Sequence, residues 1–274
     1  MLEFACHTWA FSDLSLTEAL GTIARLGFRY VDIGSGAQLN PAQAGQNPRA
    51  FAAEIKRDLE TYNLKLSDVY VNLPHITAKD EEKRRKEIDL YKGILPLLVA
   101  LETPGVTLSP GLAGAPDDVE SYDRAIIALR EMVEASELAT PSTRLRVSIE
   151  PHLDSIAQKP EVAVRMVKDV SGLTLTLNWA QLVWQDISHD EIVKLLPHTR
   201  HIHIRQAAQA KLQTPFLQGQ IDVNQVIDTL RSANYEGVVT VEYMKAAGLH
   251  GMMDVNILTE SVQMRDALRN ARDR

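Results

Sequence analysis

From one end of the chain to the other, short apolar runs rich in β-branched residues or leucine alternate with amphipathic stretches, and this alternation constrains the fold more than any other feature. The runs are Glu3 to Cys6, Tyr30 to Ile33, Leu66 to Val71, Gly105 to Leu108, Leu145 to Ile149, Leu173 to Leu177, His201 to Ile204 and Val238 to Val241. Between them, Leu16, Leu20, Ile23, Ala24 and Leu26 share one helical face before Gly27 ends the turn. Phe51, Ile55 and Leu59 repeat that spacing, as do Ile126, Leu129 and Val133. Ser15, Asp117 and Asp222 read as N-caps, whose side-chain oxygens take up free amides of a first helical turn. An apolar strand followed each time by a helix describes a parallel sheet covered on its outer face. About eight such units predict an α/β fold, a closed (β/α)₈ barrel taking in residues 1–274 as a single domain. An open doubly wound sheet is the alternative, but no Gly-rich dinucleotide fingerprint follows the first run, where His7 to Phe11 stand instead.

The 274 residues carry 29 Lys+Arg against 36 Asp+Glu, a formal charge of −7, with 45% hydrophobic and 24% charged positions. That composition supports a sizeable core and excludes disorder and fibrous repeats. An acidic balance without a Lys/Arg stripe argues against a nucleic-acid partner, whose binding comes from neutralising phosphates. The longest apolar runs, such as Ile94 to Leu101, are about half of what a bilayer requires. The N-terminus has no basic segment leading into an apolar one, so a cytoplasmic location without a membrane partner is expected. Cys6, the single cysteine, stands in an apolar run and reads as a small core residue. The basic run Lys83 to Lys86, bracketed by Glu81, Glu82 and Glu87, reads as a solvated helix face.

Barrels of this kind carry their chemistry at the C-terminal ends of the strands, and polar residues end nearly every predicted strand here. His7 and Trp9 follow the first, Asp32 and Gly34 end the second, Asn72 and His75 the third, and Ser109 the fourth. Glu150 and His152 follow the fifth, Asn178 and Gln181 the sixth, His203, Arg205 and Gln206 the seventh, and Glu242 the eighth. The loops Ser35 to Pro48, Pro110 to Pro116 and Ala207 to Gly219 are rich in Gly, Pro and polar residues and can serve as lids. A lone glutamate at a strand end is usually solvated or salt-bridged. Glu150, His203 and Glu242 together are harder to explain by packing, because buried charges without partners are costly. Two carboxylates and an imidazole supply hard and borderline ligands to a divalent metal, Mn²⁺, Mg²⁺, Co²⁺ or Zn²⁺.

Five stretches extend the pattern: Val-Ser-Ile-Glu-Pro-His at 147–152, Leu-Thr-Leu-Asn-Trp-Ala-Gln at 175–181, His-Ile-His-Ile-Arg-Gln-Ala at 201–207, Gln-Gly-Gln-Ile-Asp at 218–222 and Val-Thr-Val-Glu-Tyr at 239–243. With them the chain resembles, over nearly its whole length, the xylose isomerase-like TIM barrels, which include sugar-phosphate isomerases and epimerases, ketose 3-epimerases, hydroxypyruvate isomerases and dehydroshikimate dehydratases. The resemblance implies that Glu150 and Glu242 bind the metal and can also shuttle protons, and that His203 is a further ligand. The chain departs from the family pattern at three positions. Asn178 and Gln181 stand where the family has Asp-x-x-His, and Gln218 stands where it has a glutamate. A carboxamide oxygen of Asn178 can still ligate a hard cation but brings no charge, so affinity should fall while the ion becomes a stronger Lewis acid. Three carboxylates around a divalent ion leave a formal −1, and two leave the site neutral. Without a metal, Glu150 and Glu242 would repel each other unless one is protonated or His203 is the cation between them.

The expectation is an enzyme that abstracts a proton next to a carbonyl of a small ketose, polyol or keto-acid. One glutamate removes the proton, the metal or a cationic histidine holds the enediolate oxygens, and the other glutamate returns a proton. The outcome is isomerisation or epimerisation, or β-elimination on an oxidised sugar that carries a leaving group. His7, Trp9, His75, His152, Gln181, Gln206 and Lys211 are the candidates for binding the substrate, Trp9 by stacking on an apolar sugar face and Lys211 as the phosphate candidate; packing or solvation is the alternative for each. Arg205 should alternate with His203 and point outward into a salt bridge. His201 should point with His203 from one layer deeper, behind a ligand or in the core. His189, His198 and His250 fall in helix or loop stretches where a surface position is expected. Two other readings are a metal-free sugar-binding or partner barrel, favoured by the amides at 178, 181 and 218, and an abasic-site endonuclease, which needs more His and Asp ligands than this mouth offers. A homo-oligomer is left open.

Overall fold

The computed structural model describes residues 2–140 and 145–274. Eight parallel strands follow one another around a closed barrel in chain order, the eighth pairing with the first. They are Glu3–His7 (β1), Tyr30–Gly34 (β2), Lys65–Val71 (β3), Gly105–Leu108 (β4), Arg146–Ile149 (β5), Leu173–Asn178 (β6), Thr199–Ile204 (β7) and Val238–Val241 (β8). Each lies within about two residues of its sequence expectation, and the closed barrel, not the open sheet, is the fold. Around it run Leu16–Arg25 (α1), Pro41–Ala44 (α2), Pro48–Thr61 (α3), Glu81–Leu101 (α4), Ser121–Ala139 (α5), Pro160–Asp169 (α6), Trp179–Trp184 (α7), His189–Val193 (α8), Val223–Ser232 (α9) and Ile257–Arg272 (α10).

Local chemistry sets these boundaries. Ser15 opens α1 with a reciprocal capping box, its hydroxyl accepting from the Glu18 amide while the Glu18 carboxylate takes the Ser15 amide at 3.0 Å. Gly27, at φ +83°, releases the chain toward β2. Asp222 caps α9 by accepting from the Asn224 and Gln225 amides at 2.9 and 3.2 Å. Asp117 does not cap a helix: a turn intervenes, α5 begins only at Ser121, and the neighbouring Asp118 pairs with Arg124 instead. Leu20 and Ile23 of α1 and Ile55 and Leu59 of α3 are buried against the barrel, as their spacing predicts, while Leu16, Ala24, Leu26 and Phe51 on the same faces are half-buried at its edge.

The barrel interior is filled, and its layers are partly polar. Deep inside, Arg200 donates to the Asp68 carboxylate at 2.8 Å and to the Ser148 hydroxyl at 2.7 Å, and Thr107 also bonds Asp68. Gly105 makes room for that guanidinium, since a Cβ there would overlap it. Cys6 is buried in the apolar core, as its setting suggests, and burial pushes its thiol far up, away from the reactive thiolate. Among the described residues, no helix is long and apolar enough to cross a membrane.

Candidate active site

The last four strands converge on one cluster. Glu150 and Glu242 are the first residues beyond β5 and β8, and their amides still bond to the neighbouring strands, at Leu108 O and Ile204 O, each at 3.0 Å. The barrel therefore fixes both side chains. Asn178 ends β6 in register with His203 of β7, and all four side chains are buried. Asn178 Nδ2 donates to Glu150 Oε1 at 3.1 Å and to Glu242 Oε2 at 2.8 Å. His203 Nδ1 lies 2.8 Å from Glu150 Oε2 and 3.5 Å from Glu242 Oε1. Arg205 corrects the outward orientation expected from alternation. β7 ends at Ile204, and the Arg205 side chain turns inward, buried, to donate to the Glu242 carboxylate, to the Glu242 carbonyl at 3.1 Å and to the Leu212 carbonyl at 3.0 Å. Its salt-bridge role stands, with a partner inside the mouth.

A third carboxylate supports His203 from behind. Asp32 Oδ2, from the middle of β2, lies 2.6 Å from His201 Nε2 and 3.2 Å from His203 Nε2, and the Thr240 hydroxyl lies 3.1 Å from His201 Nε2. His201 thus sits one layer deeper than His203, and Asp32 joins the site, a residue noted in the sequence only as polar. Burial alone would raise Asp32, but the charges and hydrogen bonds of His201 and then His203 outweigh it and hold the carboxyl well below the ordinary range. His203 shows the converse: burial opposes its charged form, yet Glu242, Asp32 and Glu150 together raise it well above an ordinary imidazole. In Glu150 the pull of His203 likewise overrides burial and lowers the carboxyl. The cluster is an alternation of anions and potential cations, not a patch of bare negative charge.

Above the cluster opens a cavity of about 250 Å³ lined by Trp9, Tyr70, Asn72, Glu150, His152, Leu153, Gln181, Arg205, Leu212, Glu242, Met244, Leu249, His250 and Met252. Trp9, His152 and Gln181 therefore lie where the sequence suggests, His152 held by the Ser109 hydroxyl at 2.9 Å and Gln181 accepting from the Leu153 amide at 3.0 Å. His7 lies beneath Trp9, ring centroids 4.4 Å apart, and against His203, outside the lining. Gly34 allows this packing, because a Cβ there would overlap both His7 and Trp9. Three candidates fall elsewhere. His75 is exposed and bonds Glu87 at 2.8 Å. Gln206 is buried but spends its amide on both backbone groups of Ile221, bracing its own loop. Lys211 is exposed and lines no part of the cavity. His250, expected at the surface, does line it, brought there by the connection after β8. The stretch Gly248 to Met253, with two glycines and two methionines, is the signal that could have marked this wall. Larger grooves of about 710 and 880 Å³ lie elsewhere, but neither brings two carboxylates and a histidine together.

Among the described residues, Glu150, His203 and Glu242 offer ligand atoms within 4.8 Å of one another, as do Asp32, His201 and His203. Asn178 Oδ1, on the side of the amide away from the two glutamates, is buried with no hydrogen-bond partner among the described residues; turned inward, it is the oxygen a fourth ligand requires. The donor set fits a hard or borderline divalent ion.

Comparison with known proteins agrees with the architecture. A model of the xylose isomerase-like TIM barrel family matches residues 20–270. No curated protein matches the chain in sequence. Among solved structures, a D-allulose 3-epimerase from Methylomonas sp. is similar at a TM-score of 0.76 and 15% identity, covering 98% of each chain. A D-psicose 3-epimerase from Clostridium cellulolyticum H10 is similar at 0.76 and 14%, covering 99% of each. A 3-keto-D-glucoside 4-epimerase from E. coli is similar at 0.71 and 18%, covering 100% of each. At these identities the likeness is one of fold.

Proposed function

The chain belongs to the xylose isomerase-like TIM barrel family, and from that premise we propose that it is a sugar isomerase or epimerase acting on a small ketose, polyol or keto-acid through an enediolate. The observation that carries this reading is the pairing of Glu150 and Glu242, both buried and both facing one small cavity. The chemistry named for the similar structures, epimerisation at the 3-position of ketoses and at the 4-position of a 3-keto-glucoside, acts in each case at a carbon beside a carbonyl, where two carboxylates are suited to move a proton.

One glutamate removes the proton beside the carbonyl and the other, once protonated, returns one to the same or the neighbouring carbon. His203 supplies that proton, since its Nδ1 is bonded to Glu150 and stands next to Glu242. Arg205 holds the Glu242 carboxylate in place, and its charge favours the enediolate oxygens. Trp9, Leu153 and Leu212 give the cavity an apolar wall against which a sugar face can lie and from which water is displaced. A divalent ion held by Glu150, His203, Glu242 and the Asn178 oxygen would take the place of the proton on His203 Nδ1 and polarise the carbonyl instead.

The test is a turnover screen on ketoses, keto-acids and oxidised glycosides, with products identified. An isomer or epimer that disappears with Glu150→Gln and Glu242→Gln supports the reading. An eliminated product reassigns the enzyme as a lyase with the same site, and binding without turnover in any class contradicts catalysis.

A further inference from the structure

Glu150 and Glu242 are held together by the chain's own donors. The two N–H bonds of one amide, Asn178 Nδ2, span the pair at 3.1 and 2.8 Å. The buried Arg205 guanidinium sits on Glu242 and is itself anchored on the Leu212 and Glu242 carbonyls. His203 takes the remaining Glu150 oxygen at 2.8 Å. Three of the four carboxylate oxygens therefore have a donor within hydrogen-bond distance, and the like charges are braced from within. The far side of the same amide is different: Asn178 Oδ1 is buried and has no partner among the described residues. That is a buried acceptor left unmatched on the very amide that braces the pair, and such an atom calls for an explanation.

Half a turn about the terminal torsion of an asparagine exchanges its oxygen and nitrogen, and this torsion is broad and roughly two-fold. With Nδ2 inward, Asn178 is a brace. With Oδ1 inward, it faces two carboxylates and is repelled, unless a cation lies between them, and then it is a ligand. We infer that Asn178 is a two-position element of this kind, so that a divalent ion is an exchangeable guest of the site and not part of what holds the barrel together. The guest must compete with Arg205 for Glu242 and draws no charge from residue 178, which makes it a weak one. This inference concerns occupancy and stability and holds whichever reaction the site performs.

The test uses the full-length protein purified without chelator. Metal content by mass spectrometry, melting with and without EDTA, and calorimetric titration with Mn²⁺ are measured on the wild type and on Asn178→Asp. The expected result is substoichiometric metal, a wild-type melting temperature unmoved by EDTA, and weak Mn²⁺ binding that tightens roughly tenfold or more in Asn178→Asp, where ligand charge is added. Asn178→Asp should also melt lower in EDTA and recover with Mn²⁺, because its third carboxylate lacks the brace. Stoichiometric metal that survives EDTA, a wild-type melting temperature that falls on stripping, or no Mn²⁺ binding by the wild type overturns the inference. So does a variant with unchanged affinity. If Asn178→Asp does not fold, the wild-type stripping and titration decide alone. None of these readouts uses turnover, so the occupancy of the site and the proposed reaction succeed or fail separately.

Discussion

Single side chains at the mouth are chosen for the protonation state that burial enforces. His7 is fully buried, and its Nδ1 accepts the Trp9 amide at 3.1 Å as the cap of a short turn, Thr8–Phe11. Burial pushes its pKa down to about 4, against the pull of Glu242 and with His203 opposing its charge as well. The folded state therefore requires a neutral imidazole that the unfolded chain does not. Between about pH 6.5 and about pH 4 the unfolded state binds the extra proton, so stability falls as pH falls through that window. The loss attributable to His7 is up to about 3 kcal/mol as an order of magnitude. His7→Asn keeps an oxygen for the Trp9 amide and removes the titration. Urea midpoints measured from pH 7 down to about pH 4.5 should fall more steeply in the wild type than in His7→Asn; parallel curves would show that His7 is not the group responsible.

At the level of whole elements, the structure separates what holds the barrel from what closes over it. The connection after β8 supplies Met244, Leu249, His250 and Met252 to the cavity wall and is tied down by the Trp184 indole, which donates to the His250 carbonyl at 2.8 Å. Gly251 permits the approach: its φ is +71°, and a Cβ would overlap the Ala210 carbonyl oxygen. Gly251→Val should lift this wall, weakening substrate binding several-fold while the melting temperature stays within about 3 °C, because the strands are untouched. Unchanged affinity would mean the wall does not shape the cavity. Gly105 gives the opposite pattern. Its Cβ would displace Arg200 from Asp68 and leave a buried carboxylate unpaired. Gly105→Ala should therefore cost roughly 3 kcal/mol or more in a urea titration, whereas a cost near zero would show that the deep pair can shift without penalty.

Across the whole molecule, closing eight strands in chain order is what gathers distant residues at one end, and this also explains what was legible in the sequence. Glu150, Asn178, His203 and Glu242 could be picked out because each stands at the end of an apolar run, and a barrel sends all such ends to one mouth. Alternation failed for Arg205, which lies just past the last residue of β7, where the pleat no longer dictates direction. The sequence shows no role for Asp32 because its partner His201 is 169 positions away, a pairing that only the closed barrel creates. His75 was misplaced because Glu87, on the following helix, claims its ring. The wall after β8 has neither strand nor helix periodicity, so only its glycines and methionines marked it. We propose that this convergence makes Glu150 and Glu242 a pair that moves a proton beside a carbonyl. Proton NMR of candidate ketoses in D₂O with the wild type, Glu150→Gln and Glu242→Gln tests it most directly. Loss of the proton signal on a carbon next to the carbonyl is expected with the wild type, and its retention with both variants. Exchange that persists undiminished when either glutamate is neutralised would contradict it.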